Sequence, residues 1–295
     1  MKQISKTALE NYRAITFRTH PGYRLTNPEE ALTFIQQRGY VLFWPCQGIE
    51  FPSLWAAVAG NRPVADEHDD PGHITWSWKD EWLGKHLVYY GRVIRRKNTF
   101  ISLDLLPYFY ALSPNYGNPY EDYLIDYSAG KLSAEAKAVY EALIKEGALD
   151  TISLRKAARL SSRASDSAFN RALEELQITF RVVPVAVSQA GAWKYAFVYD
   201  LTARHYPDLV DKAHPISEWD ARRKIIQNAL ESLGAARISD LNRIFQWEKS
   251  LIERTCESLV ERKAILKNIS LDESSSDYFC VPQFVEKTSA LTLTS

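Results

Sequence analysis

Methionine occurs once and cysteine three times in 295 residues. Cys46, Cys256 and Cys280 are far apart and lack CxxC spacing, which argues against a disulfide frame or a zinc site and for buried thiols in a reducing compartment. No stretch approaches the ~20 apolar residues that a membrane span needs. The opening MKQISKTALENYRAITFRTHPGY is polar and charged, unlike a secretory leader. Charge of one sign is also missing. Lys+Arg and Asp+Glu are both 36, so the net charge is zero. That excludes a uniformly basic chain but leaves room for a basic groove on an otherwise acidic surface. What is plentiful is aromatic: 8 Trp, 16 Tyr and 12 Phe, side chains that fill cores and also stack on planar ligands. With 46% hydrophobic and 24% charged residues the chain is a folded one, long enough for two domains or three small ones.

The middle of the chain has the clearest punctuation. Ser133 opens an amphipathic helix that stops at Gly147. DTISLRKAARL is a shorter helix capped by Asp150 or Thr151. Asp166 can cap a third, with Phe169, Leu173 and Leu176 on one face. FRVVPVAV and AWKYAFVY then read as strands around a turn at Ala190-Gly191. Three helices and a hairpin are the order of a winged helix, a helix-turn-helix variant. The order recurs in WDARRKIIQNALESLG, ISDLNRIFQ and WEKSLIERTCESLVERK, with Leu251, Cys256 and Leu259 on one face, followed by AILKNISL and DYFCVPQF as strands around DESSS.

Toward the N-terminus, Asn27-Pro28-Glu29-Glu30 is a helix start of cap, proline and acidic third position, and the helix runs to Gly39. FPSLWAAVAG is a short helix ending at Gly60. HLVYYGRVIRR and TFISL read as strands joined near Lys97-Asn98. Between them RPVADEHDDPGHITWSWKDEW has no clear period and reads as a long loop. The fold expected is mainly α with β-hairpins (α+β): three tandem winged-helix units over 1–130, 131–212 and 213–288, with a frayed tail at 289–295.

Two constellations could carry chemistry. Arg155, Lys156, Arg159, Arg163, Arg171 and Arg181 cluster on the second and third helices of the middle unit. Lys85, Arg92, Arg95, Arg96 and Lys97 cluster on the N-terminal hairpin. A wing and a recognition helix neutralise phosphates with such residues, although a solvated helix face has the same composition. The second constellation is acidic: Asp66, Glu67, His68, Asp69, Asp70 and His73, followed by Trp76 and Trp78. Carboxylates with histidine serve as general bases or metal ligands. The alternative is a turn, for which DDPG is a standard signal. The ligand spacing does not define a metal site, and no cofactor is expected. Gln36-Gln37-Arg38 is, on residue types alone, the polar end of a helix.

Several segments, in order, resemble the AlkZ/YcaQ family of winged-helix DNA glycosylases. They are FIQQRGYVLFWP with FPSLWAAVAG, AKAVYEALIKEGALDTISLRKA, WKYAFVYDLTARHYPDL and RRKIIQNALESLGAARISDL. The resemblance implies three winged helices forming a concave channel for double-stranded DNA. It also implies hydrolysis of the N-glycosidic bond of alkylated purines by a Gln-hydrophobic-Gln or Gln-hydrophobic-Asp motif. Such a purine is cationic and a good leaving group, so the enzyme positions water and stabilises an oxocarbenium-like sugar. Gln36 matches the first motif position. Gln37 stands where the hydrophobic residue belongs, and Arg38 where the amide or carboxylate belongs. A guanidinium accepts no proton and opposes a cationic transition state. FWPCQG replaces the basic stretch that follows the family's motif. Gln36 and Gln37 are both candidates, yet neighbours on a helix point about 100° apart. One of Asp66, Glu67, Asp69 or Asp70 is therefore a candidate for the missing carboxylate, with His68 or His73 orienting it; otherwise the loop pairs with arginines such as Arg38. The expected setting is cytoplasmic and nucleoid-associated, with no membrane and no obligatory protein partner. A non-catalytic winged-helix DNA binder is the alternative, and a protein-interaction scaffold is a third reading.

Overall fold

A computed structural model describes residues 2–115, 117–191, 194–272 and 274–285. In chain order, β1 (Lys2–Ile4), α1 (Lys6–Thr16), α2 (Pro28–Arg38), β2 (Tyr40–Leu42) and α3 (Leu54–Ala59) precede α4 (Ile74–Trp82). The hairpin β3 (Tyr89–Arg92) and β4 (Asn98–Ile101) is followed by α5 (Leu106–Tyr110) and α6 (Asp122–Ser128). Next come α7 (Ala134–Glu146), β5 (Leu149–Asp150), α8 (Thr151–Ala157), α9 (Asp166–Ile178), β6 (Val182–Ser188) and β7 (Ala196–Leu201). After α10 (Thr202–His205) and α11 (Leu209–Ala213) come α12 (Glu218–Leu233), β8 (Ala235–Ala236), α13 (Ile238–Phe245), α14 (Lys249–Glu261), β9 (Leu266–Leu271) and β10 (Ser274–Cys280). Among the described residues no helix is long and apolar enough to cross a membrane. The tail 289–295 lies outside the described residues, as do residues 192 and 193 of the expected strand AWKYAFVY.

Two compact units result: Met1–Thr75 with Trp219–Ser295, and Trp76–Glu218. The segment 1–130 expected as one domain is thus shared between the units, while 131–212 lies within the second.

In the first unit the start of the chain is tied to its last hairpin. β1 runs parallel to β9, and β10 pairs antiparallel with both β9 and β8. On α14 the buried face is Ile252, Cys256 and Leu259, spaced i, i+4, i+7, whereas Leu251, expected there, is only half-buried. On α2, Asn27 Oδ1 accepts the Glu30 N–H at 2.9 Å, Pro28 fills the first helical position, and Gly39 at φ +76° ends the helix. Ala31, Phe34 and Ile35 are its buried face, which sends Gln36 and Gln37 outward. Tyr40, fully buried, donates its hydroxyl to the Ile225 carbonyl at 3.0 Å.

In the second unit, residues 131–212 contain the expected three helices followed by a hairpin, and a short strand, β5, that was not expected lies between the first two helices. Ser133 caps α7, Asp150 caps α8, and β5–β7–β6 form an antiparallel sheet. Asp166 is the first helical residue of α9, and Ser165 stands at the cap. Phe169, Leu173 and Leu176 share the buried face with Val139, Leu143, Leu154 and Leu201. Each such side chain removed from water contributes roughly 1.5–3 kcal/mol.

Two local expectations shift. The β3–β4 turn lies at Ile94–Lys97, where the Lys97 N–H bonds the Ile94 carbonyl at 2.8 Å, rather than near Asn98. Its central residues Arg95 and Arg96 both have positive φ, +54° and +57°, the geometry of a type I′ turn. Arginine is not a turn signal, so the sequence does not place the turn on these two residues. The second half of the expected loop is also helical. A short 3-10 turn over Pro71–His73 leads into α4, whose Trp78, Lys79 and Trp82 are all buried. A buried lysine within that face hides its period.

Candidate functional site

The end of α2 presents Gln36 and Gln37 to solvent. Gln37 Oε1 lies 3.5 Å from an Arg18 Nη2. Arg38 is half-buried, and its Nη1 donates to the Glu231 carbonyl at 3.3 Å, beside the Tyr12 hydroxyl at 2.7 Å on the same oxygen. This carbonyl belongs to the last turn of α12, where a cation complements the helix dipole. Burial pulls the Arg38 guanidinium below its ordinary range, with Tyr12 and Glu231 partly offsetting it. Arg38 therefore holds a helix end and pairs with no carboxylate of the 66–70 loop.

That loop is organised around Asp70. Arg62 donates to both Asp70 oxygens at 2.7 and 2.9 Å, and the Gly72 N–H adds a third bond at 2.7 Å. These bonds hold the Asp70 carboxyl below its usual range, the arginine bond being the largest cause. The Arg62 guanidinium lies over the buried Trp55 ring at 4.8 Å. His73 Nε2 meets the Ala65 carbonyl at 3.0 Å. Asp66, Glu67, His68 and Asp69 are exposed. Among the described residues no hydrogen bond or ion pair joins any of these carboxylates to Gln36 or Gln37, and no three His, Cys, Asp or Glu side chains converge on a metal position. The loop is held by an arginine, but by Arg62.

The basic residues of the second unit divide by what they touch. Arg155 staples the α8–α9 turn, donating to the Leu160 and Ser162 carbonyls and to the Asp166 carboxylate. Arg181 is buried at 3% exposure and pairs with Asp126, itself at 4%, at 2.7 Å, so it belongs to the interior. Arg92 and Arg96 share Glu174 of α9 at 3.0 and 3.4 Å. Arg171 donates to the Ser167 hydroxyl at 2.9 Å. Arg95, Lys97, Lys156, Arg159 and Arg163 make no ion pair and no side-chain hydrogen bond among the described residues. Arg159 takes φ +59° just past α8, the position that glycine usually fills.

The sequence reading missed a polar centre on α4. Lys79 is 1% exposed, and its Nζ donates to the Tyr195 hydroxyl at 2.5 Å and pairs with Asp80 Oδ1 at 2.6 Å. Trp76, Tyr90, Tyr195 and Phe197 surround the ammonium with ring centroids 4.5–5.8 Å away. Burial lowers the Lys79 pKa, and Asp80 works against that shift. The signal was WSWKDEW, a lysine set among three tryptophans, the composition of a cation–π box.

Residues 25–246 match the model of the family described as AlkZ related. Among solved structures, Streptomyces sahachiroi DNA glycosylase AlkZ matches with a TM-score of 0.63 at 12% sequence identity, covering 98% of this chain and 72% of that one. At that identity the likeness concerns the fold. No curated protein sequence matches the chain.

Proposed function

The chain belongs to the AlkZ-related family, and we propose that it is a DNA-binding, repair-glycosylase-like protein that hydrolyses the N-glycosidic bond of alkylated purines in duplex DNA. The orders α7–β5–α8–α9–β6–β7 and α12–β8–α13–α14–β9–β10 read as two winged helices, and α2, α3 and the β3–β4 hairpin supply the elements of a third. The observation that carries the reading is the set of uncompensated cations. Lys156 lies in the last turn of α8, Arg159 and Arg163 lie between α8 and α9, and Arg95 and Lys97 sit at a hairpin tip, in a chain whose net charge is zero. These are phosphate ligands, while Arg155 shapes the turn that presents them.

In this reading the exposed Gln36 amide orients the attacking water. The purine leaves readily because alkylation has already made it cationic. Asp70 is committed to Arg62 and Gly72, which leaves Asp66, Glu67 and Asp69 as the loop's available carboxylates. The test is base release from N7-methylated duplex DNA by the purified chain, beside Gln36→Ala. Release that Gln36→Ala abolishes, with DNA affinity nearly intact, supports the reading.

A second reading, a non-catalytic damage binder, is favoured by one observation. Arg38, at the motif's last position, is bonded to a main-chain carbonyl and offers neither amide nor carboxylate. It predicts salt-sensitive DNA binding with no base release. A flat salt dependence, or no affinity at low ionic strength, refutes both readings.

A further inference from the structure

Among the described residues, two donors converge on one oxygen of Asp80. Lys79 Nζ lies 2.6 Å from Oδ1, and the Tyr195 hydroxyl donates to the same atom at 2.9 Å. Oδ2 has no partner among the described residues, and the Asp80 side chain is 29% exposed. The Trp76 indole beside it is 37% exposed, and its ring meets that of Tyr195 at 6.2 Å and 59°. A half-open aromatic corner thus adjoins a carboxylate with one free oxygen. The ammonium behind the rings is sealed from ligands, and with the Tyr195 hydroxyl it fixes the carboxylate through Oδ1.

We propose that Trp76, Asp80 and Tyr195 form a recognition subsite for a planar organic cation, the N7-alkylated purine ring. The identity of that cation rests on the glycosylase reading above; the subsite's chemistry rests on the three side chains. A flat aromatic ligand of any charge stacks on an exposed indole. A positive charge adds cation–π attraction. A ring amino group donating to Asp80 Oδ2 adds a charge-assisted hydrogen bond that grows stronger as the ring becomes cationic. Lys79 sets a limit on this preference, because its own charge offsets part of the Asp80 field. The discrimination is therefore carried by the short hydrogen bond and ring contact, not by long-range attraction.

The test uses the full chain and two nucleosides, cationic 7-methylguanosine and neutral guanosine, in isothermal titration calorimetry. The wild type is expected to prefer 7-methylguanosine by about tenfold, from the stronger hydrogen bond and the cation–π contact of the cationic ring. Asp80→Asn keeps the side-chain shape and should reduce the ratio several-fold, chiefly by weakening 7-methylguanosine. Trp76→Leu should weaken both ligands. If Asp80→Asn unfolds because Lys79 loses its counter-charge, Lys79→Met/Asp80→Asn removes both charges and carries the same expectation. An intact preference in the Asp80 variants, or no binding of either nucleoside, overturns the subsite. Base release measured in parallel separates the two readings. Cation preference without release upholds the subsite and removes the glycosylase. Release without any cation preference upholds the glycosylase and removes the subsite.

Discussion

Arg95 and Arg96 occupy the two central positions of a type I′ turn, where asparagine and glycine are favoured. An L side chain in left-handed backbone costs roughly 1–2 kcal/mol, a cost glycine does not carry. Converting the pair to Asn-Gly should therefore relieve about 2 kcal/mol of strain. Two terms oppose this. Glycine at 96 enlarges the unfolded ensemble by about 0.4–1 kcal/mol. The exposed Arg96–Glu174 pair at 3.4 Å is lost, worth at most about 0.5 kcal/mol while Arg92 keeps its hold on the same carboxylate at 3.0 Å. The net is a stabilisation of roughly 0.5–1 kcal/mol, or about 2–3 °C in Tm. DNA affinity should move the other way. The lost phosphate contact of Arg95 reduces the slope of log affinity against log salt by about 1. Thermal unfolding and fluorescence anisotropy on a short duplex at several salt concentrations measure both quantities on one Arg95→Asn/Arg96→Gly preparation. Unchanged affinity and slope would show that the arginines do not contact DNA. A lower Tm would show that the turn is not strained.

Three further outcomes follow from packing and titration. A methyl group added in Gly72→Ala would lie 2.9 Å from both Asp70 Oδ1 and Trp55 Nε1 and 3.0 Å from Ala59 Cβ, so the variant should lose about 1–3 kcal/mol in urea unfolding; an unchanged midpoint would mean that the loop is not packed on Trp55. Asp126→Asn strands the buried Arg181 guanidinium and should cost about 3–5 kcal/mol, most of it regained in Asp126→Asn/Arg181→Met; a double variant as unstable as the single contradicts the uncompensated charge as the cause. His205 stacks on His86 at 4.2 Å, and burial, followed by the neighbouring imidazole, pushes its pKa from 6.5 down to about 4. The unfolded chain binds this proton first, so the stabilisation is complete above about pH 6.5 and declines as pH falls toward 4, by about 1–2 kcal/mol after solvent screening. The loss of Tm between pH 7 and pH 4.5 should be smaller in His205→Gln, and an equal loss rejects the assignment.

The elements legible in the sequence are those whose local chemistry agrees with their packing. Ser133, Gly147, Asn27 and Gly39 delimit helices as their residue types dictate, and Phe169, Leu173 and Leu176 show the helical period because a single apolar core takes them. What stayed hidden depended on partners distant in sequence. α1 lacks a strong apolar face of its own; only Leu9 is buried on it, and Arg13 and Thr16 are fixed by main-chain oxygens of residues 232–235. The clustering of Arg155 through Arg171 was visible, but not that Arg155 would turn inward to three neighbours while Arg159 stayed outside. The tryptophans around Lys79 hinted at a cation–π box, but nothing near it in sequence announces its hydroxyl partner Tyr195, 116 positions away.

Where local rules and structure disagree, the disagreement has a direction. Left-handed backbone suits glycine and tolerates asparagine or aspartate, and Asn268 and Asp272 sit at such positions here without comment. Arg18, Arg95, Arg96 and Arg159 sit there too, as do His86, Phe180, Lys194, Gln246 and Lys263, each at a conformational cost that glycine would remove. Of the arginines, Arg18 follows α1 in the first unit; the other three lie at turns of the second. In a chain with 36 positive and 36 negative side chains, a general need for solubility does not explain cations at sharply bent backbone. Burial does not explain them either, since Arg96 and Arg159 are exposed. Under the DNA-binding proposal, a requirement outside the fold would. A cation at the apex of a turn projects farther than one on a helix face and reaches an opposing polyanion with the least desolvation of its neighbours. Replacing each of the four arginines by glycine in turn separates this explanation from accident. Strain relief without loss of DNA affinity at any one of them assigns that arginine to chance, and the coupled gain and loss assigns it to binding.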